Sequence, residues 1–285
     1  MRRATVGYIL ALVLPCSAFV ASHTHPRRTR LLACATETGA DAEPPSSDLL
    51  FYTLDMCPYA QRVWILLEEL GLPYTRLTVD LHGDPEQREW YMREVNPRGK
   101  VPALFDFSTG LTVYESLIVN EYLCDQYGAA SPSVMPADPV ARARIRLWTE
   151  HLDTQLAPAH FTLLMNKDES SAESKRRALH DALQVYEAAL SSSSGGDGGD
   201  GPYLCGAHFT LADVSALPFF ERMLFSLRKF SEMDPLAAFP HTASWWELAS
   251  SQPSFVVTKR DEAALEQLYK KFLAVDYSFG GLAKK

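Results

Sequence analysis

Several signatures of common functions are missing from this chain. None of its eight histidines falls into a metal-ligand spacing, and no Gly-rich phosphate loop occurs. No apolar run approaches the ~20 residues needed to span a bilayer. A basic surplus is missing too: 27 Lys and Arg stand against 35 Asp and Glu, a formal net charge of -8. That balance repels phosphate backbones and anionic membrane surfaces. The one basic cluster, Arg27, Arg28 and Arg30, lies near the start. Neither nucleic acid nor a membrane is an expected partner, and no metal is expected.

What is present fits a soluble globular chain. At 285 residues, 47% hydrophobic and 22% charged, there is room for one large domain or two ordinary ones. The first residues have the composition of an address. Arg2 and Arg3 precede the apolar run from Val6 to Leu14, and Cys16 and Ala18 stand three and one before a cut ahead of Phe19, as in a signal peptide. The following FVASHTHPRRTRLLACATETG is rich in Arg, Ser and Thr and has no acid until Glu37, which is the composition of a transit segment. Signal plus transit, with Phe at the junction, resembles the plastid presequence of algae with secondary plastids and implies a plastid stroma; secretion is the alternative. With residues 1–45 set aside as presequence, Cys57, Cys124 and Cys205 remain. An odd number without paired spacing argues against a disulfide framework and for a reducing compartment.

Beyond residue 45 the pattern changes twice. LLFYTL, from Leu49 to Leu54, has the length and apolar character of a buried strand. Val63, Leu66, Leu67 and Leu70 then recur at helical spacing, and Gly71, Leu72 and Pro73 supply a left-handed cap, its hydrophobic contact and a stop. In YTRLTVDL, apolar Leu77, Val79 and Leu81 alternate with polar residues, which completes a βαβ unit. PEQREWYMREV predicts a second helix, VPALFDF and LTVY a hairpin, and Ser116 caps a third helix running to about Tyr127, with Leu117, Ile118 and Leu123 among its apolar positions. The expected order is βαβ, helix, ββα over residues 46–127. A Pro-rich linker over 128–139 follows, and then an all-helical domain over 140–285. SSSSGGDGGDG, 191 to 201, cannot pack and is expected to be a loop. After it, Thr210 and Asp213 have capping-box spacing, with Phe209 and Val214 placed as a hydrophobic staple.

LDMCPYAQRVW, 54 to 64, carries the chemistry. A thiol at the first turn of a helix meets unpaired N–H groups and a partial positive charge, which favour the thiolate. Pro58 suits the first helical position, so Cys57-Pro58 after a buried strand is a way to present a reactive sulfur. A buried, inert cysteine is the alternative. Arg62 is either a support for the thiolate or an exposed helix arginine.

The βαβ, α, ββα order is that of the thioredoxin fold. CPYA looks like a dithiol glutaredoxin motif whose resolving cysteine has become Ala60. CPYAQRVW, NPRGKVPAL, YESLIVNEYL and FTLADV, in that order from about Leu49 to Tyr269, resemble the cysteine-type glutathione transferases: the omega and lambda classes and the dehydroascorbate reductases. The resemblance implies an α/β thioredoxin-like N-terminal domain, a helical-bundle C-terminal domain, and Cys57 as catalytic residue. Glutathione would be the co-substrate, and a small-molecule or protein mixed disulfide, or dehydroascorbate, the partner of a monomer or homodimer. It also implies a glutathione site. Pro102 matches a cis-proline that exposes Val101 to the cysteinyl part, Glu115 and Ser116 match an acidic-serine pair for the γ-glutamyl end, and Lys100 matches a lysine at the glycyl end. The bland alternatives are a proline that opens a strand, a simple helix cap and a solvated lysine. Asp213 matches a buried capping residue, while Asp84 stands where omega proteins commonly carry a basic residue. Two rivals stay open: conjugation of glutathione to electrophiles, for which Tyr52 or Tyr59 lies nearby, and a non-catalytic module binding glutathione with an iron–sulfur cluster or another ligand.

Overall fold

The computed structural model describes residues 47–81, 83–131, 133–191 and 201–275. The expected presequence, and residues 192–200 of the Ser/Gly loop, lie outside the described residues.

Strand β1 (Leu49–Thr53) is buried throughout. Leu50 and Tyr52 belong to one core and Leu49 and Phe51 to another, so a strand buried on both faces has no polar side to alternate with. Helix α1 (Pro58–Glu69) begins with its proline and ends at the predicted glycine. Gly71 takes φ +61°, its N–H reaches the Glu68 carbonyl at 3.1 Å, and the N–H of Leu72 reaches the Leu67 carbonyl at 3.0 Å. β2 (Thr75–Thr78) lies parallel to β1, β3 (Ala103–Asp106) antiparallel to β1, and β4 (Leu111–Tyr114) antiparallel to β3, giving the order β2-β1-β3-β4. This mixed sheet has the connectivity of a thioredoxin-like domain.

Three helices fix the roles of the sheet's faces. Tyr91 of α2 (Pro85–Glu94), with Val95 just beyond it, joins Leu50, Tyr52, Ala103 and Phe105 in the smaller core. α1 and α3 (Ser116–Tyr127) share the larger core with Leu49, Phe51, Leu104 and Val113. Within α3 the inner face is carried by Ser116, Val119, Asn120 and Leu123. Ile118, counted among its apolar positions, is 61% exposed.

The larger core runs on without a break into an all-helical domain. Its elements are α4 (Pro139–His151), a π-helical turn (Leu152–Leu156), α5 (Ala157–Leu164), α6 (Ala172–Ser191), α7 (Leu211–Phe230), α8 (Pro240–Ala249), α9 (Pro253–Val256) and α10 (Glu262–Ala274). Among the described residues no helix is long and apolar enough to cross a membrane.

α7 is the axis of this domain: every residue from Leu211 to Leu224 is buried. Its start is the predicted capping box, formed reciprocally by Thr210 and Asp213. The Asp213 carboxylate accepts from the backbone N–H of Leu204 and Thr210 at 3.0 and 2.9 Å, from the Thr210 hydroxyl at 3.0 Å, and from the Trp245 indole at 2.8 Å. Burial pushes its pKa up while these donors pull it back, and the same bonds join α7, α8 and the loop before α7.

Asp213→Ala would strand those donors in the core. A loss of about 3 kcal/mol is expected from the urea midpoint, with a smaller loss for Asp213→Asn. A change below about 1 kcal/mol for the alanine variant would contradict the role.

Candidate functional site

Cys57 stands at the N-cap of α1 with extended backbone (φ -79°, ψ 117°), directly before Pro58. Its N–H is held by the Leu54 carbonyl at 2.9 Å and its carbonyl by the Gln61 N–H at 3.0 Å. The residue as a whole is partly buried, and burial around the sulfur dominates its ionisation. Sγ lies 3.9 Å from the Val101 carbonyl, and the Val101–Pro102 peptide bond is cis.

One sequence expectation is reversed here. The sequence predicts that the helix terminus lowers the thiol's pKa, yet burial dominates and pushes it up. The opposing influences are, in order, the Ala60 N–H, the Arg222 charge, the Tyr59 N–H and the Arg62 charge. The helix N-terminus acts as anticipated, but removing the sulfur from water costs the charged form more. Cys124 and Cys205 are also raised by burial, each to about 12.

The remaining predicted site residues lie on the neighbouring turns. Lys100 is exposed, while its carbonyl accepts from the Tyr91 hydroxyl at 2.8 Å and from the buried Asn96 amide at 2.6 Å. These bonds anchor the NPRGK turn that leads into Val101. Glu115 takes φ 72°, a left-handed conformation costly for a residue with a side chain, and its carboxylate pairs with Arg98 at 2.6 Å. Ser116, 6% exposed, is the first residue of α3 and not the cap that the sequence predicts: Glu115 occupies the N-cap position, and no side-chain capping hydrogen bond forms there.

Arg62 is not the exposed helix arginine that was one of its two readings. It is fully buried. Its guanidinium donates to the Ser215 carbonyl at 3.0 Å, to the Ser116 hydroxyl at 3.4 Å and to the Asp153 carboxylate at 3.2 Å, with the Phe219 ring 4.4 Å away. Through it the helix that bears Cys57 is tied to the helix that Ser116 opens and to the helical domain. Spacing alone placed Arg62 on α1; its partner Asp153 sits in a π-helical turn that gave no sequence signal.

The two nearby tyrosines are packed elsewhere. Tyr52 is 2% exposed with its ring edge-on to Tyr91, and the Tyr59 ring packs edge-on to Phe219 at 5.1 Å. Asp84, the departure from the omega pattern, caps α2 by accepting from the Glu86 N–H at 2.9 Å. Among the described residues no group of three or more His, Cys, Asp or Glu could hold a metal ion.

Comparison with known proteins agrees with this architecture. Residues 56–126 match the glutathione S-transferase N-terminal domain and residues 140–253 the glutathione S-transferase C-terminal domain. The chain is 30% identical to glutathione S-transferase 3 of Zea mays, over 74% of this chain and 92% of that protein. It is also 30% identical to glutathione S-transferase L3 of Arabidopsis thaliana, over 81% and 92% respectively. Among solved structures it is similar to glutathione transferase Omega 3C from Trametes versicolor, with a TM-score of 0.66 and 26% identity over 86% of this chain and 97% of that one. The chain belongs to the glutathione S-transferase family. Its lambda-class and omega-class relatives fit the cysteine-type resemblance carried by CPYAQRVW.

Alkylation by iodoacetamide reports the thiolate at Cys57. Because the folded protein raises the thiol above its ordinary value, the rate should be slower at pH 7 than for the urea-unfolded chain and should keep climbing beyond pH ~8.5. A plateau reached below pH 7 would contradict the balance described here.

Proposed function

We propose that this protein is a glutathione-dependent thiol transferase that uses Cys57 as its nucleophile. The observation that carries the reading is the placement of the partly buried Cys57 at the head of α1, with its Sγ 3.9 Å from the Val101 carbonyl. In the first step the Cys57 thiolate attacks the glutathione sulfur of a mixed disulfide; the new Cys57–glutathione bond forms as the old S–S bond breaks, and the partner leaves as a thiolate that takes up a proton. In the second step a glutathione thiolate attacks that adduct, releasing oxidised glutathione and regenerating the Cys57 thiolate. With Ala60 at the position of a resolving cysteine, the second thiol comes from solution. Dehydroascorbate is a further oxidant of this cycle, reduced at the cost of two glutathione thiols.

A raised pKa slows this chemistry without removing it. Exchange proceeds through the thiolate fraction, and the intrinsic nucleophilicity of a thiolate rises with its basicity. Reduced access to thiolate at neutral pH is therefore partly offset by each thiolate being a better nucleophile.

In the same reading glutathione lies along the edge formed by the turn before β3 and the head of α3. The backbone of Val101 pairs with its cysteinyl part, the Ser116 hydroxyl and the start of α3 accommodate the γ-glutamyl carboxylate, Glu115 takes the ammonium, and Lys100 reaches the glycyl carboxylate. Arg98 already neutralises Glu115, so the ammonium would share or displace that partner.

The test compares wild type with Cys57→Ser on a glutathione mixed disulfide, on dehydroascorbate and on a chlorinated aromatic electrophile. Thiol transfer should fall by at least about a hundredfold in the serine variant, while conjugation survives or rises. Thiol transfer that persists in Cys57→Ser would remove Cys57 from the mechanism.

A further inference from the structure

The corner that presents Cys57 is gripped from the helical domain by two arginines. Arg222 of α7, 4% exposed, donates from Nη2 to the Met56 carbonyl at 3.2 Å. From Nη1 it donates to Gln61 Oε1 at 2.7 Å, to the Pro218 carbonyl at 2.8 Å and to its neighbour Glu221 at 3.2 Å. Arg260, between α9 and α10, donates to the Asp55 carbonyl at 3.2 Å, and its backbone N–H bonds to Glu221 Oε1 at 2.9 Å. The two residues before Cys57 thus each give their carbonyl to an arginine more than 160 positions away. Gln61, on the first turns of α1, closes the set by donating to Glu221 at 3.3 Å and to the Thr258 carbonyl at 3.1 Å.

Folding alone gives little reason for this arrangement. A buried ion pair loses in desolvation much of what it gains in attraction, and apolar residues of similar volume often serve stability as well or better. Here the pair interrupts a stretch of α7 that is otherwise almost wholly apolar, and Arg222 Nε is one of the few buried polar atoms among the described residues without a partner. Its location is the distinguishing fact: the guanidinium touches the residue next to the reacting thiol.

We propose that the Glu221–Arg222 pair is a positioning device for Cys57. Arg222 fixes the turn that presents the sulfur and supplies a positive charge that favours its thiolate, while Glu221 and Gln61 hold the guanidinium in place. The proposal rests on Cys57 being the reacting thiol, but its test reads the thiol itself. Charged and titratable groups facing Cys57 are Arg222 from α7, Arg62 from α1 and Tyr91 from α2, and those facing Arg222 are Cys57 itself, Glu221, Tyr269 of α10 and Arg260 from the segment between α9 and α10. Arg222 is the stronger of the two arginine influences on the thiol, after burial and the Ala60 N–H.

The experiment follows iodoacetamide alkylation of Cys57 against pH by peptide mass spectrometry, in the full chain, for wild type, Arg222→Met, Arg222→Lys and the double variant Glu221→Gln with Arg222→Met. Arg222→Met should move the midpoint upward by about one pH unit and slow alkylation at pH 7 by roughly three- to tenfold. Arg222→Lys keeps the charge and should recover most of that shift despite losing the planar fork. The double variant leaves no lone buried carboxylate, so it decides the matter if the single methionine variant does not fold; it should show the same upward shift. A midpoint unchanged from wild type in the folded methionine or double variant, with only a lower melting temperature, overturns the proposal. Failure of the thiol-transferase reading looks different: the alkylation shift would remain while wild type showed no thiol transfer.

Discussion

At Cys57 two influences of opposite sign meet, and the rest of the site is arranged around their balance. Burial against the Val101 carbonyl and the packed corner favours the neutral thiol. The N–H groups at the head of α1 and the guanidinium charges of Arg222 and Arg62 favour the thiolate. Burial prevails in the free protein, so the sulfur rests protonated. A sulfur held this way is shielded from indiscriminate oxidation, which follows thiolate character and exposure.

The same balance explains why the two domains share one core and one set of buried charges. Arg62 reaches from α1 to Ser215 and Asp153 of the helical domain, and Arg222 and Arg260 reach back to the carbonyls of Met56 and Asp55. Each of these charges would be expensive alone, and each is made tolerable by partners on the other side of the domain boundary. The helical domain therefore does more than pack against the sheet-bearing domain. It holds the loop on which the proposed chemistry depends.

The elements were legible where local rules decide the outcome. The Cys57-Pro58 helix start, the Gly71 cap and the Thr210–Asp213 capping box each have a short-range physical cause, and each is found in the structure, whereas α3 runs from Ser116 to Tyr127 without the serine cap that its sequence suggests. The βαβ, α, ββα order followed from periodicities of 2 and 3.6 and is realised in the sheet order β2-β1-β3-β4. The electrostatics of the site were not legible, because they come from residues distant in sequence. Arg222 lies 165 positions beyond Cys57, and nothing in the spacing of CPYAQRVW announces it. One signal was available: a Glu-Arg pair within the apolar stretch LADVSALPFFERMLF has to be buried and therefore paired. The reversed shift at Cys57 has a related cause. Helix-terminus chemistry is local and readable, whereas the depth at which packing sets the sulfur is a tertiary property.

The most direct measurement of the central claim is to expose the protein to oxidised glutathione and map the modified cysteine by peptide mass spectrometry. Thiol–disulfide exchange at Cys57 predicts one glutathione joined to the peptide that contains it, released again by reduced glutathione, with Cys124 and Cys205, neither of which heads a helix, unmodified. An adduct confined to Cys124 or Cys205, or no adduct on Cys57 after prolonged exposure, would contradict the account.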